Sequence, residues 1–180
     1  QSVGALRVDI HEQDVDFLAC GAMKWLLGSS GVGFFYVARR HLDRMPPHIG
    51  GPGVVRDNRP WDVRGFEPAP GAQRFQVGMP NLIGLAATLP GLEILLETGM
   101  DVVEAQVLDL SGYCIAGMRE RGLDVMTPLE PEHRAGVVGA NMDDAQQLWE
   151  FLYKRGVDTY YNGSLFRVDP HVFNSRDDID

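Results

Sequence analysis

Apolar and polar positions divide the chain into short runs joined by glycine- and proline-rich turns. Val15–Cys20 is an apolar run of strand length, suited to burial, and Val32–Val37 is a second, rich in aromatic residues and valine. Lys24 lies on the tight connection between them. Ala38–Arg44 predicts one or two helical turns, ended by Pro46–Pro47. Residues 46–80 carry Gly, Pro and Arg with little periodicity, and so long a loop in a compact domain is usually functional or interfacial. Asn81–Glu97 predicts a helix with Leu, Ile and Ala on one face and a kink at Pro90. A long amphipathic helix follows, from an Asp101 N-cap to a Gly122 stop.

The period then shortens. Leu123–Met126 and Ala135–Gly139 read as strands, and Met142–Arg155 as a helix stopped by Gly156. Val157–Tyr160 and Leu165–Val168 are strands again, and Ser175 is expected to cap a last helix. The order β-β-α-β-β-α describes a small α+β layer. The change of pattern sets a boundary near residue 98, giving one domain over residues 1–98 and a second over 99–180.

Composition narrows the function classes. The chain has 180 residues, 44% hydrophobic and 23% charged, enough for one domain or two small ones. A net charge of −9 without a Lys/Arg cluster argues against a nucleic-acid partner. Cys20 and Cys114 have no metal-ligand spacing and imply no disulfide scaffold, so a reducing, cytoplasmic setting is expected. No apolar run approaches a membrane span, and no signal peptide is visible. The opening "QSVGALRVDI" reads like the middle of a fold, so further sequence is expected upstream.

Four places carry candidate chemistry. Lys24 stands among Phe17, Leu18, Met23, Trp25 and Leu26. Loss of hydration there would favour a neutral amine able to attack a carbonyl. The same run also fits a lysine whose stem lies on apolar surface with its head in water. "GSSGVG" (Gly28–Gly33) fits either a phosphate cradle of backbone N–H groups or a tight turn feeding a strand. Arg167, mid-strand in "LFRVDPHVFNS", wants a carboxylate, which can be Asp169 or a substrate's. His171 nearby reads as a base or, more simply, as a satisfied structural histidine. "RFQVGMPN" (Arg74–Asn81) is a turn opening a helix, whose free N–H groups favour an anion or merely start the helix.

Together, "QSVGALRVDI", "DFLACGAMKWLLGSSGVGFFYV", "RFQVGMPN" and "FRVDPHVFNSRDDID" resemble the class V branch of the fold-type I pyridoxal-phosphate enzymes. That branch includes aminotransferases, cysteine desulfurases and isopenicillin N epimerase-like proteins. The resemblance runs the whole length of the chain. It implies an α/β fold, with residues 1–98 the end of the large cofactor domain and 99–180 the small C-terminal α+β domain.

The resemblance also implies roles. Lys24 would carry pyridoxal 5′-phosphate as a Schiff base and act as the catalytic base. Gln1 would sit beside the cofactor's phenolic oxygen, and Gly21 in the phosphate-side position before the lysine. Gly78 and Met79, in the Arg74–Asn81 turn, would serve the phosphate of the dimer mate. Arg167 would grip the substrate carboxylate. Where many members have Ser-x-His-Lys, this chain has Gly21, Ala22 and Met23 before Lys24. Met79 replaces the family's threonine. The family's aspartate for the pyridinium nitrogen would fall three residues before Gln1.

The desulfurase nucleophile, a cysteine shortly before the final arginine, has no counterpart in "GVDTYYNGSLF". The expectation is therefore a homodimeric enzyme acting on an amino acid as a C–S lyase, epimerase or aminotransferase. A non-catalytic relative, or half of a split protein serving as a dimerising scaffold, is the alternative.

Overall fold

A computed structural model describes residues 2–51, 53–54 and 67–180. They form two compact units, one from residues 8–94 and one from residues 2–7 with 95–180.

In the first unit, β1 (Phe17–Gly21) and β2 (Gly33–Val37) pair antiparallel, with Phe17 opposite Val37 and Gly21 opposite Gly33. The strands expected to be buried form a hairpin whose Phe17, Phe34 and Phe35 are exposed. Phe35 stacks with Phe17 and takes Phe75 edge-on. A short α1 (Arg39–Leu42) follows. Its Arg40 and His41 both reach the Asp16 carboxylate, at 2.8 and 2.6 Å.

Helix α2 (Leu82–Thr98) starts where expected and runs on through Pro90. Asn81 opens it, its Oδ1 accepting the Gly84 N–H at 2.9 Å. The buried stripe, however, differs from the expectation, with Leu95 its one buried leucine. Gly84, Thr88 and Gly91 face inward, while Leu82, Ile83, Leu85 and Leu89 are exposed. Close approach is the reason. A Cβ on Gly91 would stand 2.6 Å from the Leu27 carbonyl oxygen, and one on Gly28 would stand 2.6 Å from Thr88 Cγ2. Only residues without bulk fit between the helix and the turn after β1. Buried Thr88 fastens the two: its hydroxyl donates to the Gly84 carbonyl at 2.8 Å and accepts the Ser29 N–H at 3.1 Å.

In the second unit, α3 (Met100–Glu120) begins one residue before the expected cap. Gly99, at φ +86°, takes the cap position, and Asp101 falls in the first turn, where its charge suits the helix dipole. Val103, Val107, Leu110, Cys114 and Met118 form the buried stripe. Gly122, at φ +77°, ends the helix as predicted, and the Leu123 N–H bonds back to the Met118 carbonyl at 3.0 Å.

Strands β3 (Asp124–Val125), β4 (Val138–Asn141), β5 (Tyr160–Asn162) and β6 (Leu165–Val168) form an antiparallel sheet in the order β3-β4-β6-β5. Helix α4 (Ala145–Tyr153) connects β4 to β5. The core joins Cys114, Ile115 and Met118 of α3 to Val138, Ala140, Ala145 and Phe166. Ser2–Arg7 belongs to this unit, and the Arg7 N–H donates to the Glu104 carboxylate at 2.6 Å. Near the chain end, Asp178 accepts both the N–H and the hydroxyl of Ser175, at 2.7 and 3.1 Å. These contacts cap a turn; no helix is assigned over 175–180, where one was expected.

The contact of α2 with the turn gives a stability test. Gly91→Ala directs a methyl group at a backbone oxygen, which cannot rotate away. The variant should lose about 1–3 kcal/mol, read as a lower midpoint in chemical denaturation. An unchanged midpoint would mean that helix and turn stand further apart than described.

Candidate active site

Lys24 lies in the turn that leaves β1. The turn is pinned at three points: Ala22 N–H to the Val32 carbonyl (2.8 Å), Leu27 N–H to the Lys24 carbonyl (3.1 Å) and Gly28 N–H to the Ala22 carbonyl (2.8 Å). Ala22, Trp25 and Leu26 point inward and are buried, whereas Met23 and Lys24 are exposed. The expected greasy enclosure of Lys24 is therefore absent among the described residues. The apolar neighbours in sequence occupy the inner side of the turn, and the amine occupies the outer. Leu27 adopts φ +55°, a left-handed conformation costing a bulky residue roughly 1–2 kcal/mol. Strain of this kind is held beside the lysine by the packing of Gly91.

The glycine-rich stretch behaves as the tight turn feeding β2, with Gly28 closed against Thr88. Among the described residues, Gly21 has open space beside it, since a Cβ there would meet nothing within 4 Å, and the same holds for Gly78. Met79 is 86% exposed. Arg74 is occupied elsewhere: its Nε donates to the Ala69 carbonyl at 3.1 Å and its Nη1 to the Leu42 carbonyl at 2.7 Å. It ties the loop to α1. Gln1 lies outside the described residues.

Lys24, Gly21, Gly78 and Met79 belong to the first unit and Arg167 to the second. Strand alternation sets the orientation of Arg167. Phe166 turns into the helix-covered core, so Arg167 takes the other face of β6, opposite Gly139 on β4 and Tyr160 on β5. The guanidinium lies over the Tyr160 ring, 4.5 Å from its centroid, and Nη2 pairs with Asp169 Oδ2 at 2.9 Å. Its Nε is buried with no hydrogen-bond partner among the described residues. The Tyr160 platform is not among the residues expected from sequence. Its signal was Gly163–Ser164, the two-residue turn between β5 and β6, which fixes the register of Tyr160 against Arg167.

His171 plays a structural part. Its Nδ1 accepts the Val172 N–H at 2.8 Å, its ring stacks on Phe173, and its backbone N–H donates to Asn174 Oδ1 at 2.9 Å. Burial pushes its imidazole below the ordinary histidine range. Cys114 is buried in the core, and burial pushes its thiol up to about 11. A cleft of about 880 Å³ in the second unit is walled by α3, α4 and the chain end, with Met118, Leu152, Phe166 and Phe173 in its lining. Neither Lys24 nor Arg167 lines it.

Comparison with known proteins adds three findings. A family model described as Aminotransferase class-V matches residues 1–160. Among curated relatives, an uncharacterized aminotransferase, YcbU of Bacillus subtilis, is 28% identical over 99% of this chain. Kynureninase of Deinococcus radiodurans is 33% identical over 87% of it. The chain spans 47% and 39% of those two relatives' own lengths. A solved mutant of C-DES, with glycine covalently linked to its PLP cofactor, superposes with a TM-score of 0.85 at 21% identity, covering 99% of this chain and 48% of that one.

The His171 environment predicts a pH effect. Its pKa is lower folded than unfolded, so the unfolded chain binds the extra proton first. The neutral ring's contribution to stability is complete above about pH 6.5 and is lost as pH falls through the folded value. The shifted carboxyls Asp16 and Asp178 titrate below 3.8 and do not contribute in that window. His171→Gln should flatten the fall in denaturation midpoint between pH 7.5 and 5.5; an identical slope would exclude His171 as its source.

Proposed function

The chain belongs to the aminotransferase class-V family, and from that premise we propose a pyridoxal 5′-phosphate enzyme acting on an α-amino acid. The proposed reaction is of the C–S lyase, epimerase or aminotransferase type, and not persulfide-forming desulfuration. The observation that carries this reading is the Lys24 amine, exposed on a turn whose backbone is held at three points, with open space beside Gly21. A reachable primary amine on a fixed backbone fits a carbonyl-bearing cofactor. The open side of Gly21 leaves room for a bulky phosphorylated ring.

When bound, the cofactor supplies an electrophilic carbon and an electron sink for charge developing at the substrate's α-carbon. Lys24 is the residue that would hold it. Lys24 Nζ would also serve as the base for the α-proton. Arg167 would orient the substrate by its carboxylate, using the terminal guanidinium N–H groups not taken by Asp169. Tyr160 keeps the guanidinium flat against the sheet. Gly78 and exposed Met79, just before α2, fit a surface offered to the phosphate of a second subunit, and a homodimer is part of the proposal.

Two facts support setting aside desulfuration. Residues 156–166 contain no cysteine, and the Cys114 thiol is held protonated in the core. Free Cys20 and Cys114 are consistent with a cytoplasmic setting, which we also propose.

Two variants test the site. Lys24→Ala should abolish the absorbance of bound cofactor near the visible–ultraviolet border and reduce turnover by about 10²–10⁴-fold. A protein that never shows such a band would instead fit the dimerising-scaffold reading. Arg167→Lys should raise KM for the amino acid about tenfold or more, because a point charge replaces a two-pronged donor. Unchanged kinetics would remove Arg167 from the site.

A further inference from the structure

The unusual feature of Arg167 is that an acid of the same chain already holds it. Asp169 lies two residues beyond Arg167, and its Oδ2 stands 2.9 Å from Nη2. The two side chains retain 28% and 36% exposure, so water reaches both. The guanidinium cannot swing far, because Tyr160 lies under it at 4.5 Å. Nε remains buried with no hydrogen bond among the described residues. The cation is thus fixed in place, half satisfied, and neutralised by a residue that can turn back into solvent.

We propose that Asp169 is a specificity-determining residue that competes with the incoming ligand for Arg167. The inference rests on the reading that Arg167 grips the substrate carboxylate. A ligand carboxylate approaching this face meets one of two situations. It displaces Asp169 from Nη2, and Asp169 rehydrates at its exposed edge. Otherwise it takes the terminal guanidinium N–H groups that Asp169 leaves open while Asp169 keeps its bond, and two carboxylates then share one guanidinium. Both situations weaken binding relative to a site without the acid. The second weakens it more for a ligand that carries another negative charge close to the first. Asp169 therefore sets the site for ligands with a single carboxylate at this position, and it speeds their release.

The test uses the cofactor-loaded protein with glycine and aminomalonate as probes. Their dissociation constants are measured by calorimetry, and KM and kcat are followed separately for any amino acid turned over. Asp169→Asn should bind glycine about fivefold more tightly, and its gain for aminomalonate should exceed its gain for glycine. KM should fall with the glycine constant, whereas loss of a purely structural contact would lower kcat or stability and leave the two probes unseparated. Asp169→Ser repeats the comparison with a smaller uncharged side chain should the asparagine variant misfold.

Arg167→Lys separates the two levels of the argument. If it weakens glycine binding while Asp169→Asn leaves glycine binding unchanged or weaker, the competition proposal is overturned and the role of Arg167 stands. If Arg167→Lys has no effect on glycine binding, both fall together.

Discussion

A single buried hydroxyl holds the lysine-bearing turn against its supporting helix. Thr88 donates to its own helix at Gly84 and accepts the Ser29 N–H from the turn that follows Lys24. A backbone N–H at a part-buried position needs such a partner, and leaving it unmatched costs about 1–3 kcal/mol. The bond is possible only because Gly28 and Gly91 let the two backbones approach. The choice of small residues at 28, 84, 88 and 91 is thus one constraint seen from two sides. It also forces α2 to place Gly84 and Gly91 inward, with Leu82, Leu85 and Leu89 outward. The left-handed Leu27 is held by the same approach, so strain and support for the Lys24 turn share a source.

The second unit solves a different problem, how to place a guanidinium on a small sheet without burying an unpaired charge. Strand alternation supplies the answer. Phe166 and Val168 serve the core with α3 and α4, and Arg167 between them is sent to the opposite face. There the tyrosine from the neighbouring strand provides a flat surface and the following aspartate provides the charge. Three consecutive positions of one strand thus alternate between packing, an outward guanidinium and packing again.

Much of this was legible in the chain. The strands around Lys24, the helices α2, α3 and α4, and the Gly122 and Gly156 stops follow from period and turn residues acting locally, whereas the strands expected over 135–139 and 157–160 form at Val138–Asn141 and Tyr160–Asn162. Family membership followed from motifs in order, with the lysine block and "RVDPHVFN" the most telling. What was not legible depended on contacts distant in sequence. Apolarity alone suggested that Lys24 was enclosed, because a run of hydrophobic residues does not reveal which of them a turn sends outward. The inward face of α2 was misjudged for the same reason: the steric demand comes from Leu27 and Ser29, some sixty residues away. Gly99 took the cap from Asp101 because a left-handed entry suits glycine alone. Tyr160 under Arg167 follows from a hairpin register that the Gly163–Ser164 turn encodes and that periodicity does not show.

The outward aliphatic row of α2 has a consequence for handling the protein. Ile83, 85% exposed, and its neighbours Leu82, Leu85 and Leu89 present exposed aliphatic side chains with no charge among them. Sulfate and other excluded salts raise the free energy of hydrating such a surface, whereas they act only weakly on a face of mixed charge. Precipitants of that kind drive these side chains against any greasy surface available, including a phenyl-bearing resin.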